Sequence, residues 1–191
     1  MINVVLTHSA LGLDSNIESW AEWLRGEGHA VITPDLYGGN TYDNLAAGVE
    51  RAEAGDMREY AAEVRVVVNE LDGPVVLMGF SLGAAVSQLA AFAGPGVAGL
   101  LLVGAALSPE WLGERPWPEG MRGQVHYAID DRWVEHAEVT ALSELAPAGA
   151  LEVFEYPGQA HLFAFPNFAD YEPLAADRLR GEVRRFLASF S

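Results

Sequence analysis

Short apolar runs alternate with longer amphipathic stretches from one end of the chain to the other. The runs Asn3–Thr7, Ala30–Thr33, Val75–Gly79, Val97–Val103, Gln124–Ala128 and Leu151–Tyr156 read as strands. Several are apolar at every position, as in parallel strands covered on both faces. Between them, Ser15–Glu27 reads as a helix, with Ser15 as N-cap and Glu18 three residues on. Asp56–Leu71 is a second helix, with Tyr60, Val64, Val67, Val68 and Leu71 on one stripe. Ala84–Phe92 reads as a buried helix of mostly small residues. Glu172–Phe190 closes the chain as a helix, with Leu174, Leu179, Val183, Phe186 and Leu187 inward. The long interval between the second and third strands leaves room for another helix over Thr41–Glu53. Ser108–Gly123, with three prolines and two tryptophans, is the one irregular excursion. Alternating strands and helices predict a doubly wound, mostly parallel sheet flanked by helices, with residues 1–191 as a single domain. In such a sheet, ligands bind outside the carboxyl ends of the strands.

Composition narrows the chemistry. The chain has 191 residues, half of them apolar, and a net charge of −16. That charge argues against nucleic acid or an anionic membrane surface as partner. No cysteine is present, which excludes thiolate metal sites and thiol nucleophiles. All eleven basic residues are arginine, which excludes lysine Schiff-base and P-loop chemistry. We therefore expect no cofactor and no metal. The longest apolar run, Val97–Leu107, is too short for a bilayer, which takes about 20 residues. No basic leader precedes the first strand, so a cytoplasmic protein is the expectation.

The chemistry centres on Gly79-Phe80-Ser81-Leu82-Gly83, between the apolar run Pro74–Met78 and the helix that follows. Gly-x-Ser-x-Gly at a strand-to-helix junction is the nucleophile elbow of an α/β-hydrolase. The turn strains the serine backbone, and small flanking residues let strand and helix approach. An activated serine needs a histidine base, and the base needs a carboxylate; in this fold they follow in the order Ser, acid, His. His126 lies within a strand, and His136 on the helix after it. His161 follows the strand and turn Glu152–Gly158 and falls on a loop at the carboxyl edge, which makes it the candidate base. Asp130 and Asp131 end the preceding strand. We favour Asp131 as the acid, while either aspartate could cap the helix beginning near Trp133. The oxyanion hole requires two backbone N–H groups: Leu82, next to the serine, and Ala10, in the His8–Gly12 loop after the first strand. His8 reads as a hydrogen-bonded core histidine.

These residues resemble the dienelactone hydrolase family of α/β-hydrolases. The likeness runs nearly end to end. It includes the His8–Gly12 loop, Thr33–Gly39, the elbow, His126-Tyr127-Ala128 leading into Asp131, and Tyr156-Pro157-Gly158 followed by His161-Leu162-Phe163. It implies an α/β-hydrolase fold without a cap domain and puts Ser81, Asp131 and His161 at the triad positions. The founding members use a cysteine nucleophile and clamp a substrate carboxylate with arginines. Here the nucleophile position is Ser81, and the clamp positions fall near Gly39 and Phe165. The resemblance thus points to a less charged ester, thioester or lactone than dienelactone. Leu11, Tyr37, Trp111, Trp117, Trp133, Phe163 and Phe165 are the expected lining of an apolar pocket at the carboxyl edge. The leading function is a serine hydrolase of small-molecule carboxylic esters. The alternatives are a non-catalytic small-molecule-binding protein on the same fold and a lyase using the same triad.

Overall fold

The computed structural model describes residues 1–190. Six strands, β1 (Asn3–Thr7), β2 (Ala30–Ile32), β3 (Val75–Phe80), β4 (Val97–Val103), β5 (Arg122–Ala128) and β6 (Leu151–Tyr156), form one sheet. All five pairings are parallel, in the order β2-β1-β3-β4-β5-β6. The helices are α1 (Ser15–Gly26), α2 (Leu45–Glu53), α3 (Met57–Asn69), α4 (Leu82–Ala93), α5 (His136–Leu145) and α6 (Pro173–Ala188). No helix among the described residues is long and apolar enough to cross a membrane. Among the described residues no cap domain interrupts this layering.

Alternate residues of each strand feed opposite faces, because side chains alternate across a pleated strand. Leu77, Leu100 and Leu102 pack with Tyr60 and Val64 of α3 and Ala84 and Val86 of α4. Met78, Phe80, Leu101 and Val103 pack with Trp20 and Leu24 of α1 and Leu179 and Val183 of α6. The central strands are therefore apolar throughout, as the sequence pattern required. The strand order reverses between β1 and β3, so the loops after these two strands flank the topological switch point.

Most element ends shift by one or two residues from the sequence reading, and three differences have a clear local cause. The α1 cap is Asp14, whose carboxylate accepts from the Asn16 and Ile17 amides; Ser15 is already helical. The inserted helix begins at Leu45, capped by Asn44, and not at Thr41. Leu174 is 87% exposed, not inward: with Pro173 it opens the first turn of α6, ahead of the part that packs on the sheet.

Candidate active site

The elbow is a collision avoided by glycine. A Cβ on Gly79 would strike the Gly83 carbonyl and the Thr7 hydroxyl. A Cβ on Gly83 would strike the Thr7 and His8 carbonyls. With both absent, β1, β3 and the start of α4 close together. Thr7 fastens the junction, its Oγ1 lying 3.1 Å from the Met78 carbonyl, 2.8 Å from the Gly83 carbonyl and 2.7 Å from Ser87 Oγ. Ser81 takes φ 53° and ψ −115°, a conformation that costs a non-glycine residue about 1–3 kcal/mol. Its amide donates to the Val103 carbonyl at 2.7 Å, which ties the turn to β4.

The structure brings Ser81, His161 and Asp131 into one hydrogen-bonded line. His161 Nδ1 lies 2.6 Å from Asp131 Oδ2, and its Nε2 lies 2.8 Å from Ser81 Oγ. A carboxylate can only accept, so Nδ1 carries the proton and the Nε2 lone pair faces the serine hydroxyl. Asp131 and His161 are buried, and Ser81 is half-buried. The other Asp131 oxygen accepts from the Trp133 amide at 2.9 Å, so this carboxylate both caps a turn and holds the imidazole. Asp130 is exposed and not part of this line. Gly104, at φ 76° after β4, was missed by sequence reasoning. A Cβ there would sit 3.3 Å from His161 Cε1, so glycine makes room for the ring.

Leu82 opens α4, whose positive end faces the serine. Among the described residues neither its amide nor that of Ala10 donates a hydrogen bond within the protein. The Ala10 loop is held from three sides. Ser9 Oγ accepts from the Leu11 amide at 3.2 Å, and the Ser9 carbonyl accepts from Gly12 at 3.1 Å. Gly48 of α2 packs so closely that a Cβ would strike the Ala10 carbonyl. His8 Nδ1 donates to the Ser9 carbonyl at 2.7 Å, and its Nε2 accepts from Leu36 at 3.1 Å. Both roles require the neutral ring, and burial lowers its pKa. His8 is thus a bracket between two loops.

The remaining histidines lie elsewhere. His136 heads α5, its ring 5.2 Å from that of Tyr127. His126 is fully buried, 3.0 Å from Tyr156 Oη and 3.1 Å from Gln124 Oε1. Burial lowers its pKa to about 3.

The expected pocket lining separates into two groups. Trp133 is 41% exposed, its ring centre 6.0 Å from that of His161, and the two share a polar cleft of about 590 Å³ with Arg132 and Glu172. Trp111 is 45% exposed and joins Leu82 in a second cleft of about 310 Å³ with Met57 and Leu89. His161 and Leu82, which flank Ser81, thus line separate clefts. The other predicted residues do not line these clefts. Phe163 and Phe165 are core, packed on Tyr156 and Phe80 respectively. Trp117 is buried against Phe92. Tyr37 is buried among His8, Tyr42, Tyr60 and Arg51; burial pushes its hydroxyl pKa up to about 12, against the charge of Arg51. Leu11 is buried at a separate shallow cleft beside Asp14 and Thr41. Phe163, Phe165, Trp117 and Tyr37 serve the layers beneath the carboxyl edge, where apolarity follows from packing.

A parallel sheet with this strand order and a strained strand-to-helix serine defines the α/β-hydrolase class. Within that class the chain belongs to the dienelactone hydrolase family, whose model matches residues 1–191. Family membership makes the protein an enzyme of the ester-hydrolase type. Solved structures share the fold. The structure named m3DLH is 23% identical, with a TM-score of 0.82, covering 99% of this chain and 86% of that one. A dienelactone hydrolase-like promiscuous phosphotriesterase from metagenomic libraries is 20% identical, with a TM-score of 0.82, covering 100% and 87%. A monoacylglycerol lipase of Paleococcus ferrophilus is 14% identical, with a TM-score of 0.76, covering 99% and 95%. No match was found among curated proteins.

Proposed function

We propose that residues 1–191 act as a single catalytic domain, a serine hydrolase that cleaves small-molecule carboxylic esters, thioesters or lactones through an acyl-enzyme on Ser81. One observation carries the reading: Ser81 Oγ, His161 and Asp131 are joined by hydrogen bonds of 2.8 and 2.6 Å in the order that activates a serine. His161 Nε2 takes the hydroxyl proton as Ser81 Oγ adds to the substrate carbonyl carbon. The oxygen that becomes negative sits between the Leu82 and Ala10 amides, a contribution of about 3–4 kcal/mol for each donor of this kind. His161 then gives its proton to the leaving oxygen or sulfur, and the carbon–heteroatom bond breaks. Water, deprotonated by the same nitrogen, adds to the acyl carbon and releases the acid and free Ser81. Asp131 stays ionised and holds the ring through both steps. The reaction requires no cofactor or metal.

The test is hydrolysis of p-nitrophenyl acetate by wild type and Ser81→Ala, with circular dichroism to verify folding. Release of p-nitrophenol by wild type and its loss in the variant is the expected result. Equal rates in both would overturn the reading. No turnover by either, in folded protein, would favour a binding protein on this fold.

A further inference from the structure

The Leu82-side cleft continues away from the serine. It shares Arg58, Leu89 and Trp111 with a third cavity of about 330 Å³ between α3, α4 and the 111–115 segment. Together they form one trough beside α4, which from Leu82 to Ala93 rises roughly 16 Å. Its walls are mostly apolar, with Glu53 and Asp56 at the Leu82 end. Leu89 and Phe92 come from α4, and two of the few large apolar side chains left exposed, Val66 and Trp111, both open onto it.

The far part of the trough is cationic. Arg58, Arg65 and Arg115 all line it, and no Asp or Glu does, in a chain with 27 carboxylates. Three of the eleven arginines make ion pairs among the described residues, all on α6; of the other eight, these three converge here. Among the described residues none of these three guanidinium groups has a carboxylate within 4 Å. The partners of these guanidinium groups are neutral, although the Arg58 backbone amide donates to Asp56 Oδ1 at 2.8 Å. Arg58 donates to the Trp111 carbonyl at 3.2 Å, and Arg115 to the Phe92 carbonyl at 2.8 Å. Arg65 donates to Asn69 Oδ1 and the Pro95 carbonyl, both at 2.8 Å. Its partial burial lowers its pKa, the mark of a guanidinium without a compensating charge. In so acidic a molecule, a carboxylate-free trio of arginines over an apolar floor is complementary to an anion on an apolar stem.

We infer that this trough holds the acyl part of the substrate, an extended apolar chain whose far end carries an anionic group facing Arg58, Arg65 and Arg115. The inference rests on the acyl-enzyme reading above and adds the substrate class. An ester of this kind is a half-ester of a longer dicarboxylic acid, with the cleaved bond at Ser81 and the free carboxylate at the arginines.

The test compares kcat/KM for p-nitrophenyl decanoate and the mono-p-nitrophenyl ester of sebacic acid, which match in length and differ in the terminal carboxylate. The expected result is a preference of about tenfold for the anionic ester. That ratio should fall toward one in Arg58→Gln/Arg115→Gln and recover in the double lysine variant, which keeps the charges. A wild-type ratio at or below one, or a ratio unmoved in the glutamine variant, would overturn it. If no ester is cleaved, p-nitrophenyl acetate included, it is the acyl-enzyme reading that has failed. Calorimetry of sebacic acid monomethyl ester with Ser81→Ala then decides the trough on its own. Saturable binding lost in the glutamine variant supports it, and no binding overturns it.

Discussion

Replacing His126 should remove a defined part of the acid sensitivity of this fold. The ring is fully buried at the centre of a relay between β5 and β6. Gln124 Nε2 donates to Glu152 at 3.0 Å, which turns Gln124 Oε1 toward the imidazole as an acceptor. His126 Nε2 therefore carries the proton, and Nδ1 accepts from the Tyr156 hydroxyl at 3.0 Å. Both nitrogens are satisfied in the neutral ring, and among the described residues a second proton would add a buried charge with no carboxylate within 4 Å. Burial first, then the charge of Arg178, lowers the pKa from 6.5 to about 3. A histidine with a depressed folded pKa binds its proton in the unfolded chain first. Its stabilising effect is complete above pH 6.5 and is lost as pH falls toward 3. The whole window is worth about 5 kcal/mol, at about 1.4 kcal/mol per pH unit. Urea unfolding of wild type and His126→Gln at steps between about pH 7 and pH 4 measures it. The variant should be weaker at pH 7 by about 1–3 kcal/mol, from its broken relay. Wild type should lose about 3 kcal/mol more than the variant by about pH 4. Parallel stability curves would refute the assignment of a buried neutral imidazole.

Three further outcomes follow from the site and its supports. Asp131→Asn should lower kcat on p-nitrophenyl acetate by on the order of 10³–10⁴ with little change in folding, because an amide no longer enforces the Nδ1–H tautomer; a loss under tenfold would contradict the role given to Asp131. Gly104→Ala should lower kcat by roughly 10²-fold, since the new methyl would sit 3.3 Å from His161 Cε1 and displace the ring; unchanged kcat in soluble variant would show that the ring needs no such room. Phe165→Ala should cost about 3–5 kcal/mol in urea unfolding, because it empties a fully buried site against Phe80. Its effect on turnover should be equal for all esters, and a change in ester preference would restore Phe165 to the pocket.

Much of this fold was legible because parallel strands covered on both faces write themselves as continuous apolar runs. The elbow was equally legible, since its glycines answer a local collision that any chain making this turn must avoid. The placement of His161 and Asp131 followed from strand ends, which fix the carboxyl edge without knowledge of the contacts. Phe163 and Phe165 were misplaced for a physical reason: an aromatic beneath the edge and an aromatic lining a cleft have the same hydropathy. Asp14 and Ser15 are both good caps, and only the reach of the Asp14 carboxylate to two amides separates them. Gly48, Gly104 and the arginine trio were not visible. Each acts against a partner distant in sequence, and nothing in its own neighbours marks it.

The central claim is that Ser81 is an activated nucleophile. Intact mass after treatment with a fluorophosphonate, on wild type and folded Ser81→Ala, tests it most directly. A single adduct on wild type and none on the variant is the predicted result. An unmodified, well-folded wild type, or an adduct that survives in Ser81→Ala, would contradict it.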